Sequence, residues 1–307
     1  MNDTLYQTLK EKLPVTAIIL TLNEEKNLEG AIESVKEWAE DVFVVDSLSL
    51  DRTIDVALEH NAKIVQRAFT DYGDQWQWAV DHLPIKTPWI LKLDADERVS
   101  PELINEINIR LKGDPQENGF IIPIRLWFLG KPLHATIRNC RLWRKEKGRF
   151  SNVIVNEHLL TAGPIGYLKK FIEHFDSPNL HRWYEKQNYY TTMEAILMVR
   201  GGKLATKSKV LGNGLERRMF LKKHFHRIPF RFCLLWLYMM FIEGVWRDGE
   251  VGRTWVHLRL EVLRMKEFKY KEMKRNGRIP GIPRAPHGDY DPRVLNSPLQ
   301  KSVASSD

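Results

Sequence analysis

LKLDADERV, residues 91–99, passes from an apolar, strand-like run straight into Asp94, Asp96 and Glu97. Three carboxylates within four positions repel one another unless a positive charge offsets them. Residues at i and i+2 leave a strand on the same face, so Asp94 and Asp96 present their acids together. Paired hard oxygen donors suit Mg²⁺ or Mn²⁺, which keep water and substrate phosphates in the rest of their shell. A divalent metal is therefore the expected positive partner. A second reading of the same acids is open, because Asp and Glu ahead of a helix complement its dipole.

Working outward, the first hundred residues alternate between strand and helix. VTAIILTL (15–22) reads as a buried strand, EKNLEGAIESVKEW (25–38) as an amphipathic helix and DVFVVD (41–46) as a second strand. DRTIDVALEHN (51–61) gives a helix, KIVQRAF (63–69) a third strand, DQWQWAVDHL (74–83) a helix and PWILKLDAD (88–96) a fourth strand. Alternation of this kind predicts an α/β fold with a mostly parallel sheet flanked by helices. Ligands bind such sheets outside the carboxyl ends of the strands. Thr21, Asn23 and Glu24 follow the first strand, Asp46 and Ser47 the second, and Asp94 and Asp96 the fourth. Neither GxxxxGK[ST] nor a GxGxxG after the first strand occurs, so P-loop hydrolysis and dinucleotide redox chemistry lose their usual phosphate cradle.

A helix is expected from Ser100-Pro101, and GFIIPIRLWFLG (119–130) is strand-like. The pattern turns helical from about Asn179, then basic and aromatic-rich beyond Lys222. The expected divisions are an N-terminal extension (1–13), an α/β half (14–130), a second half (131–221), basic interfacial helices (222–276) and a Pro-rich tail (277–307).

Across 307 residues, 47 Lys and Arg stand against 39 Asp and Glu, a net charge of +8 concentrated after residue 200. That excess implies an anionic partner. Cys140 and Cys233 are too few for a disulfide framework or a thiolate zinc site. MNDTLYQTLKEKLP at the N-terminus lacks the basic-then-apolar layout of a signal peptide, so a cytoplasmic location is expected. FCLLWLYMMFI (232–242) carries no charge but falls short of the ~20 residues a membrane crossing needs.

TLNEE (21–25), VVDSLSLDRT (44–53) and LDADE (93–97) stand in the order and spacing of the family 2 inverting nucleotide-sugar glycosyltransferases of the GT-A fold, which this sequence resembles over about residues 14–275. The likeness extends through RLWRK (141–145), VNEHL (155–159), EHF (173–175) and MFIEGVWRDGEVG (240–252), and is greatest to the branch that builds bacterial lipopolysaccharide core or exopolysaccharide. It implies that residues 14–130 are the nucleotide-sugar-binding half and 131–221 the acceptor-binding half, and that Thr21, Asn23, Glu24 and Asp46 line a nucleoside pocket, with Ser47, Arg67 and Gln75 in the same nucleotide-sugar-binding set. Asp94 would approach the ribose or the metal. Asp96 would ligate a divalent ion (Mg²⁺ or Mn²⁺) bridging the diphosphate, and Arg141 would steady the leaving phosphates. Inversion needs a base to take the acceptor's proton, and Glu157 matches that acidic position; a solvated structural glutamate is the other reading. His158 and His174 lack a partner at i+3 or i+4, which favours hydrogen-bonding roles over ligation, while His174 matches a family position near phosphate or acceptor.

The sequence departs from the family's VDSGSTDRT at Leu48 and Leu50, from a usual His at Asn156, and from a common Asn at Gln77. Glycine adopts positive φ freely and leucine does not, so the loop after the second strand is expected to differ in shape.

In the C-terminal section Lys222, Lys223, Arg227 and Arg231 flank an apolar run bearing Trp236 and Tyr238. Arg259, Arg264, Lys266, Lys269 and Lys271 follow among further apolar residues. Aromatics with cations suit a helix in the headgroup layer of an anionic membrane; a core-packed helix with a solvated cationic face is the alternative. Nucleic acid is not expected, since no recognised binding motif is present. The combined expectation is a glycosyltransferase, peripheral on the inner face of the inner membrane, moving a sugar from a nucleotide-sugar, a UDP-sugar first among them, to a lipid-linked or lipopolysaccharide-core glycan. Two rival readings are a non-catalytic membrane-peripheral scaffold, suggested by the altered loop, and a sugar nucleotidyltransferase, which would want a basic glycine-rich loop.

Overall fold

The computed structural model describes residues 11–150, 159–175, 179–201, 217, 220–221, 224–225 and 228–279. Its first half follows the expected alternation. Strands β1 (Leu13–Thr21), β2 (Ala39–Asp46), β3 (Lys63–Gln66) and β4 (Trp89–Asp94) alternate with helices α1 (Leu28–Glu33), α2 (Thr53–Glu59) and α3 (Tyr72–His82). β1 pairs in parallel with both β2 and β4, and β2 in parallel with β3. β1 and β4 are buried along nearly their whole length because helices cover both faces of the sheet. Ile19, Leu91 and Val44 face a core shared with Ala31 and Ile32 of α1. Ile18, Ile90 and Val45 face the other way, against Trp76, Ala79 and Val80 of α3.

After β4 the chain reverses through Ala95-Asp96 into the short β5 (Glu97–Val99) and helix α4 (Pro101–Leu111). Ser100 caps α4, its hydroxyl accepting from Leu103 N, and Pro101 supplies the fixed φ suited to a first helical turn. β6 (Gly119–Phe128) and β7 (Lys131–Arg144) form a long hairpin; β8 (Gly148–Phe150) and β9 (Leu159–Thr161) form a separate small ribbon. β10 (Ile165–Tyr167) and β11 (Ile172–Phe175) lie end to end along β6. Among the described residues the main sheet has nine strands, ordered β3-β2-β1-β4-β7-β6-β11-β5, with β10 also on β6. The expected division between 130 and 131 falls in the turn of the β6–β7 hairpin, and strands on both sides of it share this sheet.

Helix α5 (Leu180–Val199), helix α6 (Arg231–Leu237), a π-helical turn (Tyr238–Ile242), a 3-10 turn (Val245–Asp248) and helix α7 (Gly249–Asn276) complete the described chain. A third core joins them to the hairpin: Phe128, Leu133 and Ala135 pack with Trp183 of α5, Met239, Met240, Val245 and Trp255. Among the described residues no helix is long and apolar enough to cross a membrane.

Candidate active site

Strand register explains why residues far apart in sequence meet. Thr21 pairs with Asp46 and Leu20 with Asp94, so the carboxyl ends of β2, β1 and β4 lie side by side. Asp46 is fully buried, and both of its oxygens are engaged. Oδ1 accepts from Thr21 Oγ1 at 3.0 Å and from the Ser49 hydroxyl. Oδ2 accepts from Ser49 N at 2.8 Å and from Gln66 Nε2 at 3.2 Å. Ser47 Oγ receives Gln75 Nε2 at 3.3 Å, and Gln75 Oε1 accepts from Arg67 Nη1 at 2.5 Å. Backbone bonds from Ser47 N to Thr21 O at 2.8 Å and from Arg67 N to Asp46 O at 2.9 Å join the two sets into one network.

The loops after β1 and β2 are laced together. Asn23 N donates to Ser49 Oγ at 2.8 Å, Leu50 N to Asn23 Oδ1 at 2.8 Å, Glu24 N to Thr53 Oγ1 at 2.8 Å and Glu25 N to Asp51 Oδ2 at 3.1 Å. Leu48 sits at φ 64°, in the left-handed region that glycine favours. The departure from VDSGSTDRT therefore leaves the backbone conformation a glycine would take, with leucine bearing the strain, because the surrounding bonds fix the loop. Gln77, the other described departure, accepts from Phe150 N at 3.0 Å and joins α3 to β8.

The acids of LDADE meet cations from the chain itself. Arg141 on β7 is buried and donates through Nη2 to Asp94 Oδ2 at 3.0 Å and Glu97 Oε1 at 2.7 Å. His174 on β11 meets Asp96 Oδ2 at 3.1 Å, and Lys186 of α5 lies 3.7 Å from the same oxygen. The positive charge that three neighbouring carboxylates demand is thus supplied in part by arginine, histidine and lysine, where the sequence suggested a metal or the dipole of the following helix. Arg98 fixes the turn: it donates to Ala95 O, Glu97 O and, across to the β1 loop, Asn27 O at 2.7–2.9 Å. Gly30 makes room for it, since a Cβ there would lie 2.3 Å from Arg98 Nε.

Electrostatics separate the four acids. Burial favours the neutral form of Asp94, but Arg141 and Lys92 outweigh it and hold the carboxyl below its usual range. Asp96 is likewise desolvated, yet His174 and Lys186 keep it well below the carboxylate norm. Burial dominates for Glu97, raised to about 7 despite Arg141, and for Glu24, raised to about 7 by burial and by the neighbouring charge of Asp96. Desolvation works against the His174 cation, but Asp96 and Glu97 raise it to about 9.

Among the described residues no three His, Cys, Asp or Glu side chains converge to hold a metal by themselves. Asp94 and Asp96 are nevertheless a hard-oxygen pair on one turn, and Asp94 remains partly exposed. Carboxylate oxygens of this kind are the donor type that Mg²⁺ and Mn²⁺ prefer.

The structure thus gathers Thr21, Asn23, Glu24, Asp46, Ser47, Arg67, Gln75, Asp94, Asp96, Arg141 and His174 about neighbouring strand ends. Arg141 lies beneath the acids, its guanidinium engaged by Asp94 and Glu97. Glu157, expected as the base, with Asn156 and His158, and Lys222, Lys223 and Arg227 of the basic section, lie outside the described residues. Lys186 was not singled out by sequence reasoning, and no local signal marks it; only the docking of α5 brings it to Asp96.

Comparison with known proteins identifies the family. The family model described as Glycosyl transferase family 2 matches residues 16–178, more than half of the chain. An uncharacterised glycosyltransferase of Rickettsia conorii (strain Malish 7) is 32% identical over 212 residues, covering 64% of this chain and 74% of the relative. The lipopolysaccharide core biosynthesis glycosyltransferase LpsC of Rhizobium meliloti is 27% identical over 252 residues, covering 78% and 86%. Among solved structures, S. aureus TarS 1–349 aligns at 14% identity and a TM-score of 0.45, covering 87% of this chain and 92% of that one, a likeness too distant to bear on function.

Proposed function

Because the chain belongs to glycosyl transferase family 2, we propose that this glycosyltransferase moves one sugar, with inversion, from a nucleotide-sugar to a glycan carried on a lipid or a lipopolysaccharide core. The observation that carries the reading is the meeting of the β1, β2 and β4 ends at the Asp94–Asp96 turn, with cations from three other elements around it. Thr21, Asn23, Glu24, Asp46, Ser47, Arg67 and Gln75 shape the nucleoside side of the cleft. Arg141 acts through Asp94 and Glu97, holding their carboxylates in place. His174 and Lys186 face the position where negative charge accumulates as the nucleoside diphosphate leaves.

Asp94 and Asp96 would hold Mg²⁺ or Mn²⁺, which when bound neutralises the departing diphosphate. Glu157 is the proposed base, on family likeness alone. The acceptor class is supported by the similarity to LpsC, whose name assigns it to lipopolysaccharide core biosynthesis. UDP-sugars are the first donors to test, and work on a lipid-borne acceptor would place the enzyme on the inner face of the inner membrane.

The test is release of nucleoside diphosphate from a panel of nucleotide-sugars, with and without Mn²⁺, by the full chain and by Asp96→Asn. The substitution keeps the side-chain shape and removes the charge. Turnover is expected to fall by at least about 100-fold, as when a group stabilising transition-state charge is lost, with the melting transition still cooperative. Retained turnover in the variant defeats the role given to Asp96; no release from any donor by the natural chain defeats the proposed reaction.

A further inference from the structure

Exposed apolar side chains are ordinary when scattered, but a contiguous stripe of them marks a contact surface. One stripe stands out between residues 230 and 246. Phe230, Leu234, Leu237, Tyr238, Phe241 and Ile242 recur at helical spacing across α6 and the π-helical turn, and all are exposed, Phe230 at 84% and Ile242 at 74%. Trp246, on the following 3-10 turn, is exposed as well. The opposite side of the same segment is anchored: Met239 and Met240 are buried, and Phe232, Leu235 and Trp236 pack against the third core. The bare face therefore stands on a packed platform built from the β6–β7 hairpin and α7.

Charge decides what covers it. Residues 222–279 contain fourteen Lys and Arg against six Asp and Glu, an excess equal to the chain's entire net charge of +8. A second copy would bring the same sign and be repelled, whereas an anionic lipid leaflet is complementary. The aromatic edge fits as well. Tyr238 and Trp246 carry a polar group on an apolar ring, and the Arg247 guanidinium lies 5.4 Å over the Trp246 ring. Such residues favour the headgroup level. The apolar run is too short to cross a bilayer, so it lies in the plane of the interface.

We infer that the stripe from Phe230 to Ile242, with Trp246, inserts shallowly into the headgroup–acyl boundary of an anionic membrane, with Arg247 beside Trp246 at the level of the lipid phosphates. The inference rests on the proposed function for the lipid-borne acceptor that this face would bring near, and the lipid contact itself is measured without catalysis.

The full chain is floated with vesicles of phosphatidylcholine alone and of phosphatidylcholine containing about one third phosphatidylglycerol, a leaflet rich in anionic lipid. Flotation is expected only with the anionic vesicles, weakening as salt is raised. Phe241→Glu with Ile242→Glu is expected to reduce binding at least tenfold, while Ile109→Glu, 61% exposed on α4, leaves it unchanged. Both variants alter exposed positions, and their melting curves verify the fold. No flotation of the natural chain, or equal flotation of the stripe variant, overturns the inference; so does a dimer in sedimentation that the stripe substitutions dissolve, which would assign the face to a second copy. Nucleotide binding measured in parallel separates this result from the proposed reaction, since failure of either leaves the other standing.

Discussion

His174 and Asp96 hold each other where both are largely shielded from water, and the consequence is a stability that depends on pH. His174 ionises near 6.5 when unfolded and at about 9 in the fold, where Asp96 overcomes the cost of burial. The folded state thus keeps a proton that the unfolded state has released, so this contribution is full below 6.5 and lost as pH rises through 9. Asp96 acts at the other end: its folded value lies below the ordinary 3.8, so its contribution is present above 3.8 and lost as acid protonates the folded carboxylate. Without metal, the protein is expected to lose at most about 2–3 kcal/mol between pH 6.5 and 9 from this pair. His174→Gln should flatten that slope in denaturant titrations at the two pH values; an unchanged slope would assign the dependence elsewhere. Of these partners, Asp96 and His174 were legible in LDADE and EHF. Lys186 was not, because it sits ninety positions along on a helix whose own pattern gives no sign of facing acids.

The strands that build the cleft were legible because β1, β2 and β4 are apolar runs ending in polar residues, the signature of buried parallel strands. Helix α1 was not, since the amphipathic pattern of residues 25–38 continues past the point where the helix stops at Glu33. There the Ser34 hydroxyl donates to Ala31 O, Val35 N bonds to Ile32 O, and tight turns bury Trp38 before β2 begins. The loop after β2 shows the same limit from the other side. Leucine at position 48 predicted an altered shape, but bonds from Asp46, Asn23 and Asp51 hold the loop while Leu48 adopts φ 64°. The loop is thus held by its own hydrogen bonds around a left-handed Leu48. A left-handed leucine costs about 1–2 kcal/mol, and glycine costs about 0.5–1 kcal/mol in unfolded-chain entropy, so Leu48→Gly should stabilise by roughly 0.5–1 kcal/mol. The side chain is 50% exposed and gives up little packing. Equilibrium denaturation checks this; a less stable glycine variant would mean that the leucine's contacts outweigh its strain.

The uneven charge and the third core together govern how the molecule holds as a unit. The basic C-terminal section reads from sequence as an appendage, yet Trp255, Val256 and Leu258 of α7 pack with Phe128, Leu133 and Ala135 of the central sheet's hairpin and with Trp183 of α5. Periodicity could show that these helices have an apolar face, but not that the face belongs to the sheet. Polar links reinforce the docking: Lys269 donates to Asn188 O at 2.8 Å and to the hydroxyls of Thr191 and Thr192, and Lys266 pairs with Glu194 at 2.8 Å. Because α5 also carries Lys186 to Asp96, detaching α7 would expose apolar surface on the hairpin and loosen a wall of the cleft at once. The described elements should therefore melt in one cooperative transition rather than two. Trp255→Ala leaves a cavity in the joining core and should cost about 3–5 kcal/mol, lowering the single transition by roughly 5–10 °C. Calorimetry distinguishes the alternatives: a variant that splits into two transitions, with the sheet's melting unmoved, would show that the helices are an independent unit and that the cleft does not depend on them.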